Sequence, residues 1–568
     1  MSTQELAGTG VTPAVERDRA QARHWTAAGT VALSGVAALA LLVWAYRQFI
    51  ATPWLPLQDE SGYYMSAVRI WHALRSAELH ALLRATWDNH MSLGGPFLSP
   101  YFLALGFIFG ANTLEAARTA SLIAGFFAWV GIAWLAAELA EEGKAYAAAI
   151  AGVLWGTSPM FLYYTSRSLY DSFALVFTAF CLVAVARFAR NGGRAAAVAA
   201  GFLAFLSFEV KCNVGVVLLA AIFLGLGYPE LRARLARDAR GFLAPLARPW
   251  FLLAASALLP LTAFLMVDGM RQLVRYLRGY AFYPLSVQDQ LLYYPRSLFQ
   301  DYVPVAGLAL LFLLGVLYWS WKGWSRPAAR VALLYVVLQG AGAGLHTQTD
   351  GRFIWGAVAV AASLAGAFLA RELSRVPFRI RFAAGGLLAF VLAFSIWAAP
   401  ASAQAFFSRT QVAPTTAQQA ALLQGLNFIR DNTTRQQTLL VAGVADEGIN
   451  QGMVEQFLMN PVSGQVQDMP LLPYANLPAS WGISPQPSPF YADSLKKEFS
   501  QAPEARLVIL DHEAGSPFRG PLYPWILAWQ ENYAHAAEGM KELEVAARLD
   551  THAGLRVTIY CRRAGDHR

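Results

Sequence analysis

The chain has 568 residues, of which 56% are hydrophobic and 14% charged, and a formal charge of +8. A soluble domain carries nearer a quarter charged residues. Apolar runs of spanning length recur through about the first 400 positions, which excludes a soluble enzyme and indicates a polytopic membrane protein. The positive balance does not point to nucleic acid, because most of the arginines lie in short loops between apolar runs, where orientation signals belong. Cys181, Cys212 and Cys561 are far apart and show neither metal-ligand spacing nor a disulfide framework.

In chain order, the first apolar run, near 30–50, is too long for a signal peptide and lacks a small-residue cleavage site, so it reads as a retained anchor. Spans are then expected at roughly 28–50, 114–137, 145–163, 171–189, 195–210, 213–228, 250–267, 303–321, 329–345, 353–370 and 382–399, about eleven in all. The run "PFLSPYFLALGFIFG", Pro96 to Gly110, is apolar but short and carries two prolines. A run of that length lies in the interface or re-enters. Counting it as non-spanning puts the N-terminus and the loops "RFARNGGR", "ELRARLARDAR", "WKGWSRPAAR" and "RELSRVPFRIR" on the cytoplasmic side, as the positive-inside rule prefers. Everything after Pro400 then lies outside.

On that topology a long outer loop, 51–112, begins with the adjacent acids Asp59 and Glu60 and continues through an amphipathic helix with Tyr63, Arg69 and Trp71. A second outer segment, near 268–302, is rich in arginine and tyrosine. The tail, 401–568, alternates strand-like runs ("QQTLLVAGVADEG", "ARLVILDHEAG", "LRVTIYCRR") with helix-like ones ("TTAQQAALLQGLNFIRDN", "YAHAAEGMKELEVAARL"), which predicts a small α/β domain. "GVADEG" lacks the glycine spacing of a phosphate loop.

Several outer-face residues can carry chemistry. Asp59 and Glu60 either cap the following helix or supply a general base at the membrane surface. Asp171, in "YYTSRSLYDSFALVF", either caps the next span or pairs with Arg167 four residues earlier. The chain has six lysines, and Lys211 in "FEVKCNVG" is the one expected on the outer side of the membrane region. It is neutralised by Glu209 or meets an anion, for which a phosphate fits. Arg275, Arg278 and Arg296 lie among tyrosines that include Tyr280 and Tyr283; guanidinium forks suit phosphate oxygens, and the rings suit sugars or the interface. His346, Asp350 and Arg352 in "LHTQTDGRFIW" make a weak metal cluster that lacks further ligands.

These features resemble the GT-C superfamily of integral-membrane glycosyltransferases, most closely the group with the bacterial lipid A aminoarabinose transferases and the protein O-mannosyltransferases. The resemblance covers roughly 25–400. It rests on "QDE" before "GYYMSAVRIW", the Pro-led "PFLSPYFLALGFIFGAN", the acid in "YYTSRSLYDSF", "VKCN" in place of a Thr-Lys-Gly element, "DYVPV" entering a span, and "DGRFIW". Two positions depart from that pattern. The lysine that precedes the Pro-led helix is absent from "SLGGP", and Cys212 replaces the glycine after Lys211.

The resemblance implies a GT-C-like transmembrane catalytic domain over 1–400 and an extracytoplasmic α/β domain over 401–568, in a bacterial inner membrane with the active site on the extracytoplasmic face. It implies transfer of a sugar from a polyprenyl-phosphate donor to a glycan, lipid or protein hydroxyl, with inversion. Asp59 is then the base, Glu60 assists or orients it, and Asp171 holds the acceptor or the surroundings of Asp59. Lys211, Arg275, Arg278, His90 and Arg352 face the donor phosphate. Tyr63, Tyr64, Arg167, Tyr280, Tyr283 and His346 line the substrates. The resemblance leaves room for a divalent metal and names no other cofactor. A lipid-linked sugar transporter or flippase would instead need polar groups at the bilayer midplane, often in repeated halves, and no repeat is visible. An unrelated polysaccharide polymerase or ligase would not need the acidic pair after the first span. A non-enzymatic receptor would keep its function without Asp59.

Overall fold

The computed structural model describes residues 31–51, 59–93, 98–109, 113–229, 253, 287–345, 351–409, 416–434, 437–442, 474–475, 488–512, 524–552 and 554–563. Five described helices are long and apolar enough to cross a membrane: Val31–Ile50 (α1), Leu114–Leu139 (α5), Asp171–Asn191 (α8), Arg352–Arg375 and Phe378–Phe407. The bent pair Lys144–Gly156 (α6) and Pro159–Thr165 (α7) makes a sixth if it is taken as one span. The expected spans at 195–210, 213–228, 303–321 and 329–345 are also helical, as Arg194–Val210 (α9), Cys212–Ile222 (α10), Leu308–Lys322 (α12) and Pro327–Leu345 (α13). The one expected at 250–267 lies outside the described residues apart from Leu253, and the helix Val287–Gln300 (α11) precedes α12.

Two expectations change. The run expected as one span at 145–163 breaks, and its halves meet at 71°. The cause is local. Ser158 is extended, as a residue before proline prefers, and its hydroxyl caps α7 by accepting from the Phe161 amide at 3.4 Å. Pro159 then occupies the first turn, where its missing N–H costs nothing. In the tail, the stretch read as one helix over 533–549 ends at Gly539, and Leu543–Asp550 is a strand. Leu543, Val545, Ala547 and Leu549 have the period of a strand, and antiparallel pairing to Leu555–Arg562 decides the matter.

The loop after α1, expected outside, contains Asp59–Arg75 (α2), Leu79–Leu93 (α3) and Ser99–Ala104 (α4), the last running on as a 3₁₀ turn to Phe109. The apolar helix Ser99–Ile108 reaches about 15 Å at 1.5 Å per residue, half the thickness of a hydrocarbon core, so it does not span. It packs between α2 and α5.

Small residues hold the helical bundle together. Trp355–Arg375 (α14) is its most enclosed span and packs against α5, α6, α12 and α13. Ser363 donates to the Ile132 carbonyl at 2.8 Å, and the Trp319 indole donates to the Leu364 carbonyl at 2.9 Å. A Cβ at Gly366 would stand 2.6 Å from the Ala147 carbonyl oxygen and 2.9 Å from the Ala151 methyl. In lipid, where burial of apolar surface drives little helix association, such close backbone approach supplies the packing.

Two ends of this bundle carry charge. At one end Glu138 accepts from Arg187 and Arg190 at 2.9 and 2.7 Å, and Glu141 meets Arg326 and Arg371. Three of the arginine-rich loops expected inside therefore gather at one end. The outer-loop helices gather at the other, where α5 begins and α8 begins.

The helix Phe378–Arg409 (α15) leads to the tail, whose described residues form a five-stranded sheet in the order Tyr474–Ala475 (β2), Leu439–Ala442 (β1), Arg506–His512 (β3), Leu555–Arg562 (β5), Leu543–Asp550 (β4). Leu439–Ala442 (β1) pairs in parallel with Tyr474–Ala475 (β2) and with Arg506–His512 (β3). Leu555–Arg562 (β5) runs antiparallel to β3 and to Leu543–Asp550 (β4). Leu439, Val441, Val508, Leu510, Val557 and Ile559 form one face with Thr416–Asp431 (α16). Leu440, Leu507, Ile509 and Tyr560 form the other, under Ser488–Gln501 (α17) and Pro524–Gly539 (α18). The described part of the tail thus combines a mixed sheet with helices on both of its faces. Gly366→Leu is expected to cost roughly 1–3 kcal/mol through overpacking of α6 against α14, read as a lower thermal midpoint in detergent.

Candidate active site

The charged end of the bundle is organised around Glu60. Its carboxylate is buried, with 2% of the side chain exposed. Arg118, in the first turns of α5, grips it in a bidentate fork, Nε to Oε1 at 2.7 Å and Nη2 to Oε2 at 2.9 Å. Arg167, in the turn between α7 and α8, donates Nη1 to Oε2 at 3.0 Å. Ser168 donates its amide at 2.9 Å and its hydroxyl at 3.2 Å to Oε1. Five donors from two segments thus converge on one carboxylate.

Burial by itself would push the Glu60 carboxyl up. Arg118 first, then Arg167 and the Ser168 amide, more than reverse this and hold it at about 2. At neutral pH Glu60 is a fixed anion that cannot act as a proton acceptor. Its bonds also fix how the start of α2 sits against α5 and the turn before α8.

A second pair lies alongside. Asp171 opens α8, where the helix dipole favours negative charge, and ion-pairs with the Lys211 ammonium. Lys211 sits at the break between α9 and α10 with an extended backbone. Gly215 makes this break possible, because a Cβ there would overlap the Phe208 backbone as α10 folds back on α9. Ser99 ties α4 to the same corner by donating to the Val210 carbonyl at 3.1 Å. The Tyr63 ring lies on Tyr170 at 4.1 Å. Ser121 donates to the Leu169 carbonyl at 2.9 Å, which anchors the turn against α5.

Arg167 is also framed by rings, 4.9 Å from the centroid of Tyr163 and 5.8 Å from that of Phe407. Arg352 stands 5.9 Å over Tyr164.

The sequence-predicted residues fall into three groups. Glu60, Arg167, Asp171, Lys211 and Tyr63 come together at this end. The expected local pair of Arg167 with Asp171 is replaced: Arg167 turns to Glu60 and Asp171 to Lys211. Tyr64, expected at substrate, is instead a core residue, fully enclosed and edge-on to Phe107. Arg167 likewise serves the Glu60 carboxylate from a buried position. Arg275, Arg278, Tyr280, Tyr283 and His346 lie outside the described residues, as do the side chains of Asp59 and His90. Among the described residues no three His, Cys, Asp or Glu side chains gather as a metal would require.

Arg118, Ser168 and Phe407 escaped the sequence reading. Arg118 carried a usable signal, an arginine just inside the apolar run that starts at Leu114, since charge at membrane depth asks for a named partner. Ser168 and Phe407 carried none.

No protein-family model matches the chain, and no curated protein matches it by sequence. Its structure is similar to that of the archaeal oligosaccharyltransferase AglB from Archaeoglobus fulgidus in complex with an inhibitory peptide and a dolichol-phosphate. That match has 12% identity and TM-score 0.56, and covers 96% of this chain and 75% of that one. It is also similar to ArnT from Cupriavidus metallidurans bound to undecaprenyl phosphate, with 14% identity and TM-score 0.51, over 94% of this chain and 98% of that one. The Archaeoglobus fulgidus oligosaccharyltransferase in complex with Zn and sulfate matches at 15% identity and TM-score 0.51, over 94% and 73%. The chain therefore has the GT-C fold that its sequence motifs resemble.

Glu60→Gln leaves Arg118 and Arg167 without their anion and is expected to cost about 3–5 kcal/mol. Because the Glu60 carboxyl sits below its ordinary 4.5, its contribution is complete above that pH and is lost as pH falls toward about 2. The gap in thermal midpoint between wild type and Glu60→Gln should stay constant from pH 8 to 5 and close below pH 4.5.

Proposed function

We propose that the chain is a membrane glycosyltransferase that passes a sugar from a polyprenyl-phosphate donor to an acceptor hydroxyl on a glycan, lipid or protein, with inversion at the anomeric carbon. The observation that carries this reading is the Glu60 cluster, a carboxylate spent entirely on holding α2, beside an adjacent acid, in a GT-C fold. Bound lipid phosphates in two proteins of that fold support the donor class.

Asp59 takes the proton of the acceptor hydroxyl. The acceptor oxygen forms a bond to the anomeric carbon as the bond from that carbon to the phosphate oxygen breaks. The electron pair leaves with the polyprenyl phosphate, which stays in the bilayer. Glu60, unable to accept a proton, orients Asp59 through α2. Negative charge grows on the phosphate in this step, and cations aimed there lower the barrier. Lys211 takes that role, held ready by Asp171, with Arg275, Arg278, His90 and Arg352 as the further cations and Tyr63, Tyr280, Tyr283 and His346 along the substrates. A divalent metal, when bound, would supply further positive charge at the donor phosphate; among the described residues no three His, Cys, Asp or Glu side chains gather to hold one.

The gathering of the arginine-rich loops at the opposite end supports an extracytoplasmic site in a bacterial inner membrane, by the positive-inside rule. The domain over 401–568 then lies on the same side as the site.

The test is turnover of radiolabelled polyprenyl-phosphate sugars by purified protein in detergent. Asp59→Asn is expected to lose transfer roughly 10²–10⁴-fold while still binding donor. Equal turnover in both proteins would move the base to Asp171, and failure to bind any lipid-phosphate donor would sink the reading. Lys211→Met should weaken donor binding and turnover together.

A further inference from the structure

Phe407 lies on α15, far in sequence from every residue of the Glu60 cluster, yet its ring lies beside Arg167, one of that cluster's two buried guanidiniums. Arg167 is the weaker of the two guanidiniums on Glu60. Arg118 makes a bidentate fork, whereas Arg167 reaches the carboxylate through Nη1 alone. Arg167 is further confined by Tyr163, which is also its side-chain hydrogen-bond partner and whose ring lies at 4.9 Å, and by the Phe407 ring at 5.8 Å.

Phe407 is itself fixed. It stacks on Phe49 at 5.1 Å with 28° between the planes and meets Tyr163 edge-on at 5.7 Å. Phe49 is presented by the last turn of α1, Tyr46–Ile50, which winds as a π-helix and turns Phe49 and Ile50 into the core. The neighbouring Phe406 packs on Tyr163 and Tyr164 at 5.4 and 6.3 Å. Two phenylalanines near the end of α15 are therefore locked between α1 and α7. The helix ends at Arg409, and the tail's first described helix starts at Thr416.

We propose that Phe407 is a positioning residue: its ring holds the Arg167 guanidinium against Glu60, so that α15, the helix from which the C-terminal domain departs, helps to set the orientation of α2 and Asp59. An arginine between aromatic faces in a water-poor site gains more than at a surface, and a cation with one bond to its carboxylate depends on that support. The part of this inference that concerns turnover rests on the proposed glycosyl transfer; the contact between Phe407 and Arg167 does not.

Two measurements on the full chain separate these parts. The first is a thermal-midpoint cycle in detergent with Phe407→Leu, Arg167→Met and the double variant. Leucine keeps much of the apolar bulk and loses the π-face. Phe407→Leu should lower the midpoint in the wild-type background by several degrees and by clearly less once Arg167 is Met, because stacking on Phe49 is lost in both. Equal shifts in the two backgrounds would overturn the contact, and with it the proposal. The second is turnover with the polyprenyl-phosphate donor that wild type accepts. Phe407→Leu should lower kcat about tenfold with donor KM within about twofold, and Phe407→Tyr, which keeps the π-face, should restore at least half of kcat. A Phe407→Leu enzyme with wild-type kcat, or a Phe407→Tyr enzyme as slow as Phe407→Leu, would overturn the positioning role. Absence of turnover in wild type would refute the function and leave the cycle to judge the contact.

Discussion

One carboxylate buried between two guanidiniums holds together the end of this molecule where α5 and α8 begin. Taking Glu60, Arg118 and Arg167 out of water costs several kcal/mol per ion, and their mutual attraction repays it only when every donor finds its acceptor. Here the Glu60 oxygens are met by the bidentate fork of Arg118, the single bond of Arg167 and both donors of Ser168, while Arg167 Nε has no hydrogen-bond partner among the described residues. The three chain segments that supply these groups, the start of α2, the start of α5 and the turn before α8, cannot shift independently without leaving a charge uncovered. A hydrophobic core would tolerate such slippage far better, since its attraction has no direction.

That rigidity has a place in the proposed chemistry. A general base must be held in a defined direction, and the residue next to it cannot be both its support and its partner in proton transfer. The low pKa of Glu60 separates the two jobs, with Glu60 as a permanent anion and Asp59 as the adjacent group left to react. The neighbouring Asp171–Lys211 pair follows the same logic, a cation kept at the membrane surface by an acid that is itself favoured at a helix N-terminus.

The bundle beneath is assembled by different means. Small residues bring α14 within backbone reach of α6 and α12, and two side chains bond to carbonyls across helices. The opposite end is fastened by Glu138 and Glu141, whose arginine partners are far more exposed and so contribute less each. The strong ionic contacts therefore sit at the candidate site and the weak ones at the loops, as expected if one end must be stiff and the other only oriented.

The sequence by itself determined much of this. Long apolar runs, the arginine-rich loops, the short Pro-led run and the alternating tail are local signals, set by helix rise, bilayer thickness and strand period, and most of those that fall within the described residues have a counterpart in the structure. The adjacent acids and the positions of Asp171 and Lys211 were legible for the same reason, as charges where apolar sequence ends. Only the tertiary structure decided partners. Arg167 and Asp171 sit at helical spacing, but the turn after α7 leaves Arg167 outside the helix, so each finds a distant partner. Arg118 joins the site because α2 folds back over the start of α5, and Phe407 because the end of α15 returns to α7. The break at Ser158–Pro159 and the strand Leu543–Asp550 divide along the same line. Capping and pairing supply the free energy, and both depend on neighbours that linear order does not name.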